Sequence, residues 1–154
     1  MKIQEERSLK IIKIGLDSNT VEIFNPTFPN PVWDWTDPLE FERKNFSVSL
    51  AYYRAIIIGG RGKVKKNLTE DGLSEFQTLD DNEVISYDEK AKKFSTKSFY
   101  ELVKPRHSHS SIVLKNQRGE DQMLYVFGGF TEDDINGKKY AETFERIDLI
   151  KVQA

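Results

Sequence analysis

The chain has 154 residues, of which 38% are hydrophobic and 31% charged, the length and composition of one globular domain. Its 23 basic and 25 acidic residues leave a formal net charge of −2, so charge gives no reason to expect nucleic acid or an anionic membrane as a partner. The absence of cysteine excludes disulfides, thiolate nucleophiles and cysteine-ligated metal sites.

The first part of the chain reads as short strands separated by turns and one long loop. Residues 9–16 and 20–24 flank the turn signal Asp-Ser-Asn and predict a hairpin. Four of the five prolines lie in residues 25–45, which are predicted to be loop because proline cannot donate to a strand ladder. Residues 46–53 predict a strand, and residues 54–60 predict a strand that is covered on both faces.

The rest of the chain alternates strands with two polar loops. Residues 61–82 are predicted to be a long loop with at most one helical turn, near residues 73–76. A second polar loop is predicted at residues 130–142. Further strands are predicted at residues 83–88, 92–96, 108–115, 122–129 and 143–150. In the strand that ends at Gly128, the apolar residues 124–127 also predict cover on both faces.

Two parts of the chain repeat each other. The apolar strand that ends in Gly59 and Gly60 matches the one that ends in Gly128 and Gly129, and the first glycines of the pairs are 69 residues apart. The pattern R-x-x-F-S precedes the first pair, and R-x-x-H-S precedes the second. The residues of these patterns are Arg43, Phe46 and Ser47, then Arg106, His109 and Ser110. Matching acids stand at Asp17, Asp88 and Asp148.

This order of features resembles the kelch repeat, the four-stranded blade of a β-propeller. The resemblance covers Ile11 to Ile150 and implies an all-β fold of kelch-like β-propeller blades, each of four antiparallel strands. It departs from the family where Phe46 replaces the histidine, and where Phe24 and Phe94 stand in for a tryptophan that commonly closes the fourth strand. Gly59, Gly60, Gly128, Gly129 and His109 are then expected to have structural roles in turning and packing.

The resemblance implies a single kelch-like domain over residues 1–154 that is an incomplete propeller. Residues 9–24 would be the outer half of a blade, residues 45–95 a full blade with the long 61–82 loop, and residues 106–154 a nearly full blade. Closed propellers have four to eight blades. The chain is therefore expected to be a fragment of a longer propeller, a subunit completed by another chain, or an open array within a larger assembly.

The glycine pairs have a competing interpretation as phosphate-binding loops. A Walker A loop requires Ser or Thr after Gly-Lys, but Val64 follows Gly62 and Lys63. A dinucleotide fingerprint requires three spaced glycines before a helix, and only the first two are present. The packing interpretation is therefore favoured, and no cofactor is predicted.

The two histidines offer a possible metal pair, because His107 and His109 would share a face of a strand. The sequence has no third histidine and no cysteine, and no spacing nominates carboxylate ligands. The favoured interpretation packs His109 against the next blade with its ring nitrogens bonded to backbone. No metal site and no catalytic residue are predicted.

Both tryptophans of the protein, Trp33 and Trp35, lie in the proline-rich stretch with Phe28 upstream. Large aromatic side chains on loops are favoured anchors for binding, although one tryptophan could equally pack over a blade edge. The resemblance places the long loops on one face, where partners of kelch-like proteins usually bind. The predicted partner-binding residues are Phe28, Trp33, Trp35, Arg61, Arg106 and Phe130.

The sequence thus predicts a non-catalytic protein–protein interaction or scaffolding module. Its partners would be proteins, including a chain that completes the propeller, with no nucleic acid and no membrane insertion. No secretory signal is readable, so the expected location is cytoplasmic. The alternative is an enzyme, or a protein that binds a small molecule or metal on the loop face. Kelch-like oxidases use a cysteine crosslinked to tyrosine, which this chain lacks.

Overall fold

A computed structural model of the chain describes residues 10–15, 18–26, 29–63, 76–88, 90–132 and 138–150. These residues form an all-β fold of antiparallel strands, which confirms the predicted fold class at that level. The strands are β1 (Ile11–Ile14), β2 (Val21–Phe24), β3 (Trp33–Trp35), β4 (Arg43–Lys44), β5 (Ser47–Ala51), β6 (Arg54–Ile58), β7 (Arg61–Lys63), β8 (Phe76–Thr78), β9 (Asn82–Asp88), β10 (Lys93–Ser98), β11 (Ser110–Lys115), β12 (Asp121–Phe127), β13 (Phe130–Glu132), β14 (Lys138–Tyr140) and β15 (Glu145–Asp148). Within the described part of the chain, no helix has the length and apolar character that a membrane crossing requires.

Three main sheets hold most of these strands, and we name them by their order along the chain. The N-terminal sheet has the order β1-β2-β3, the central sheet β5-β6-β9-β10, and the C-terminal sheet β11-β12-β15. Two small sheets, β4-β7-β8 and β13-β14, follow the ends of β6 and β12. Consecutive strands of each main sheet are therefore neighbours, as the predicted hairpins require.

Strand β6 of the central sheet is covered on both faces by the other two main sheets, whereas Val48 and Leu50 of the edge strand β5 are 44% and 72% exposed on the side of the N-terminal sheet. Successive residues of a strand point to opposite faces, so an uninterrupted apolar run such as β6 needs cover on both. One buried cluster joins the central to the C-terminal sheet and includes Ile56, Ile58, Leu124 and Val126. The other joins it to the N-terminal sheet and includes Ala55, Ile57, Val21 and Ile23. The predicted burial of the central strand is confirmed.

Arg43, which precedes the central sheet, is completely buried and binds both carbonyl and carboxylate oxygens. Its guanidinium donates to the carbonyls of Gly59 and Asp81, each at 3.0 Å, and to Asp81 Oδ1 at 2.6 Å. It also donates to the carboxylate of Glu83, which is 1% exposed. Burial raises the pKa of Glu83, while the N–H of Glu40 and the charge of Arg43 act in the opposite direction. The ion pair fixes the segment before the sheet to the end of β6.

Arg106 repeats this arrangement in the C-terminal sheet. It too is completely buried, and it donates to the carbonyls of Gly128 at 3.4 Å and Thr143 at 2.8 Å. Its second nitrogen lies 2.9 Å from Glu145 Oε2. The acceptors match those of Arg43 position for position, since each set is a strand-ending glycine, a glutamate, and the residue two before that glutamate. Arg43 and Arg106 therefore have the same structural role, which is to tie the segment before a sheet to a glycine and a glutamate of that sheet.

The glycine pairs turn the chain beside these arginines. Gly60 and Gly129 have φ angles of 99° and 81°, which favour glycine. A Cβ on Gly60 would lie 2.7 Å from the carbonyl oxygen of Lys44, and one on Gly129 would lie 2.4 Å from that of His107. The second glycine of each pair thus makes room for the backbone that follows the buried arginine.

Three predictions about loops need correction. Trp33–Trp35 form β3, which pairs with β2, so the N-terminal unit extends beyond residue 24. The prolines flank this edge strand without interrupting it, and an edge strand needs hydrogen bonds on one side only. Residues 61–63 and 76–78, predicted as loop, are β7 and β8, and the 130–142 loop likewise contains β13 and β14. Phe76 is a strand residue and not part of a helical turn, and residues 73–75 lie outside the described residues.

The buried arginines generate a stability prediction. Replacing Arg43 with Met keeps the length of the side chain but leaves Glu83 buried without its cation, so we expect the free energy of unfolding to fall by about 3–5 kcal/mol. Urea unfolding followed by circular dichroism measures the change. Arg118→Met, at an exposed turn position, is the matched control and should stay within about 0.5 kcal/mol of wild type. Equal stability of the two variants would contradict the assigned role of Arg43.

Candidate functional site: an open apolar face of the C-terminal sheet

Strand β12 is buried on only one of its two faces. Leu124 and Val126 are fully buried against the central sheet, whereas Phe127 on the opposite face is 45% exposed. The prediction that residues 124–127 are covered on both faces is therefore wrong for the described structure. The strand has the apolar composition of a fully covered strand, but the described residues provide a covering sheet on one side only.

The exposed residues of this face form one continuous apolar surface, which we call the outer face of the C-terminal sheet. Its members are Ile112, Leu114, Tyr125, Phe127 and Phe144. They line a shallow hollow of about 360 Å³. Phe144 is 65% exposed, and its ring centroid lies 6.2 Å from that of Tyr125. Exposed apolar patches of this kind mark interaction sites in soluble proteins.

The internal repeat shows what such a face does elsewhere in the molecule. Tyr125 and Phe127 precede Gly128 by three residues and one, as Ile56 and Ile58 precede Gly59. Ile56 and Ile58 are 2% and 0% exposed because the C-terminal sheet covers them. The outer face thus corresponds to a surface that is an inter-sheet contact in the central sheet.

A second open face lies at the opposite end of the stack, and we call it the outer face of the N-terminal sheet. Directly opposite residues of paired strands share a face, and the pairs here are Lys13 with Glu22, Glu22 with Trp35, and Phe24 with Trp33. The rings of Phe24 and Trp33 lie 5.1 Å apart, and Trp33 and Trp35 are 43% and 70% exposed. Both tryptophans are available for contact, from a strand and not from a loop.

The other predicted partner-binding residues lie elsewhere. Arg61 is half-buried in β7, and Phe130 is half-buried in β13, where its ring stacks on His107 at 5.6 Å. Strands β8 and β13 are in contact, so Arg61 and Phe130 belong to adjoining small sheets, apart from the tryptophans. Arg106 is completely buried, and its predicted role in partner binding is wrong because its guanidinium is committed to internal acceptors. Phe28 lies outside the described residues.

Sequence reasoning missed the outer face of the C-terminal sheet as a candidate site. Its signal was present in β11, where Ile112 and Leu114 alternate with Ser111 and Val113. Ile112 and Leu114 are the more apolar set, so alternation alone would turn them, and not Ser111 and Val113, toward the central sheet. The hydrogen bond between Ser49 and Ser111 at 2.7 Å shows that Ser111 points inward and Ile112 outward.

His109 is buried between the C-terminal and central sheets. It occupies the position of Phe46 in the repeat, because Cβ atoms built on Gly60 and Gly129 would meet Phe46 and His109 respectively. Its ring lies against Gly59, so His109 packs on the sheet that comes before its own in the chain. Neither ring nitrogen makes a well-formed hydrogen bond. Burial and then the charge of Arg106 lower the pKa of His109 from 6.5 to about 4. Among the described residues, no group of three or more His, Cys, Asp or Glu could hold a metal ion.

The lowered pKa of His109 makes stability depend on pH. The unfolded histidine takes up a proton as pH falls through 6.5, whereas the folded one does so only near 4, so stability is lost across that window as pH falls. His109→Phe restores the residue of the other repeat and removes the titration. We expect the drop in unfolding free energy between pH 7 and pH 5 to shrink by roughly 2 kcal/mol in the variant. Denaturant titrations at both pH values measure it, and identical pH dependence in variant and wild type would refute the assignment.

The outer face of the C-terminal sheet also generates a prediction for the isolated chain. We expect wild-type protein to bind an apolar dye and to self-associate in sedimentation, because a large exposed apolar patch is a site of interaction or aggregation. The double variant Ile112→Lys/Phe127→Lys should lose most of both properties without loss of folded structure. Val103→Lys, at a single exposed side chain away from this face, is the control and should behave as wild type. A wild type that stays a monomer without dye binding would contradict the prediction.

Comparisons with known proteins give a likeness of fold only. No protein-family model matches the chain, and no curated protein matches it. Its fold matches 71 chains among the solved structures. One of them, reported as the structure of YjhT, aligns with a TM-score of 0.55 and 15% sequence identity over 79% of this chain. The aligned part is 32% of the YjhT chain, so this chain spans about a third of that protein.

Proposed function

We propose that the chain is a section of a kelch-like β-propeller that serves as a non-catalytic protein–protein interaction or scaffolding module. Its face-to-face sheets would be successive blades, and the central sheet would be a whole blade of four strands. The repeated arginine, the glycine pair and the sheet order β5-β6-β9-β10 support this interpretation. The likeness to about a third of a larger solved protein agrees with a section of a larger fold.

The observation that carries the proposal is the outer face of the C-terminal sheet. Its equivalent in the central sheet is buried under a neighbouring sheet, while Ile112, Leu114 and Phe127 are each close to half exposed. Burying a fully exposed side chain of this size is worth about 1.5–3 kcal/mol, so covering each of these half-exposed ones contributes about half of that to an assembly. We infer that a protein partner covers this face.

The C-terminal sheet covers the equivalent face of the central sheet. The larger side chains on the outer face support a protein partner whose surface differs from that of the C-terminal sheet. Strand pairing places Ile112 where the central sheet has Ser49, and Leu114 where it has Ala51. Phe127 similarly stands in place of Ile58. A surface with larger side chains needs a partner surface of different shape, because packed interfaces match the density of protein interiors. We place this assembly in the cytoplasm.

Native assembly size tests the proposed function. In extracts of the cells that make the protein, we expect the tagged chain to migrate in a complex well above its own 17.9 kDa. Ile112→Lys/Phe127→Lys should move it to the position of the free chain, and Val103→Lys should leave it in the complex. Migration of the wild type as a free chain, or a complex indifferent to the double variant, would contradict the proposal.

A further inference from the structure

The three main sheets each carry a glutamate at the same register position. Glu22, Glu83 and Glu145 all lie opposite the residue that precedes a strand-ending glycine by two. The opposite residues are Lys13, Ile57 and Val126, and the glycines are Gly15, Gly59 and Gly128. Glu83 and Glu145 each bind a buried arginine that comes from the segment before their own sheet.

The backbone around Glu22 repeats the carbonyl acceptor that lies two residues before the glutamate in these arginine sites. The N–H of Gly15 donates to the carbonyl of Thr20 at 2.9 Å, as that of Gly59 donates to the carbonyl of Asp81 at 3.2 Å. Thr20 stands two residues before Glu22, as Asp81 stands before Glu83. The N-terminal sheet therefore has the Thr20 carbonyl and the Glu22 carboxylate at two of the positions that bind a guanidinium elsewhere. Gly15 stands at the sequence position of the third acceptor, but it lacks the positive φ angle of Gly59 and Gly128.

Glu22 has a weaker cation than its two counterparts. Lys13 Nζ lies 2.6 Å from Glu22 Oε2, but the lysine side chain is 59% exposed, whereas Arg43 and Arg106 are 0% exposed. An exposed ion pair between lysine and glutamate contributes little to stability. One ammonium also cannot span a carboxylate and two carbonyls as a planar guanidinium does. Lys13 also stands where the other sheets have the apolar Ile57 and Val126. Its contact with Glu22 is one that an arginine can displace.

We propose that the N-terminal sheet binds an arginine-bearing β-strand of a partner polypeptide, which adds beside β1 and places its guanidinium on the Glu22 carboxylate and the Thr20 carbonyl. Strands β6 and β12 are the equivalents of β1 in the other two sheets. Strand β5 lies beside β6, and β11 lies beside β12, each preceded by its arginine. Among the described residues, no strand pairs with that side of β1. An exposed strand edge is a template for such addition.

The sequence pattern of the partner strand is inferred from β5 and β11, the two strands that hold the equivalent position within the chain. An arginine precedes a serine by four residues, and the strand starts at that serine, as in Arg43 to Ser47 and Arg106 to Ser110. Arg7 of this chain does not fit, because it precedes Ile11 by four residues, whereas Arg43 precedes the equivalent Ala55 by twelve. The inference rests on the proposed function, since it names the chemistry of one partner.

A synthetic peptide with the sequence of residues 42–51 tests the inference on the full chain. Trp33 and Trp35 are the protein's only tryptophans, and Trp35 lies opposite Glu22, so their fluorescence reports binding. We expect saturable binding that weakens about tenfold or more when norleucine replaces the peptide's arginine, because the bonds to a charged group are lost. Glu22→Gln should weaken binding equally, Glu101→Gln at an exposed position should not, and Lys13→Ile should tighten it.

The controls separate this inference from a folding defect and from the proposed function. Thermal melts establish that each variant is folded. Absence of peptide binding, or binding indifferent to both the norleucine peptide and Glu22→Gln, overturns the inference. Peptide binding that fails while the native complex still depends on Ile112 and Phe127 rejects the arginine strand alone. Loss of the native complex with intact peptide binding rejects the proposed function alone.

Discussion

The buried arginine is the constraint that ties the chain entering each of two main sheets to the strand ends of that sheet. Arg43 joins the segment before the central sheet to Glu83 and to the chain reversal at Gly59, and the same segment donates the Glu40 N–H to Glu83 at 2.6 Å. Arg106 does this for the C-terminal sheet, with Val103 N–H 2.5 Å from Glu145. A buried ion pair adds little net stability over an apolar replacement, but it tolerates only one geometry. It therefore fixes where each sheet lies relative to the chain that enters it.

The stack of three sheets, joined by two apolar clusters, has two unlike ends. The central sheet has a neighbour on each face, whereas each outer sheet has an apolar face without a described neighbour. One end exposes Ile112, Leu114 and Phe127, and the other exposes Trp33 and Trp35 beside a glutamate that has a lysine in place of a buried arginine. The two ends differ in shape and charge, so they suit different partner surfaces. This asymmetry supports the proposed role as an interaction or scaffolding module.

The sequence predicted the strands and the repeat well because each depends on local pattern. The continuous apolar run of β6 predicted burial on both faces, and the shared arginine and glycine positions predicted equivalent units. Trp33 and Trp35 were predicted as loop because flanking prolines hide a three-residue edge strand. Arg106 was predicted at the surface, since its partners Thr143 and Glu145 are far away in sequence. The open face of β12 was not predictable, because its composition is that of a covered strand and cover depends on which sheets surround it.

Side-chain accessibility in the native assembly shows whether partners cover the open sheet faces. Hydroxyl-radical footprinting can compare the purified chain with the same chain in its native complex. We expect labelling of Phe127, Phe144 and Trp35 to fall strongly in the complex, while labelling of the exposed Tyr53 and Val103 is unchanged. Equal labelling of the three aromatic residues in both states would contradict the claim that the open sheet faces are where this protein binds its partners.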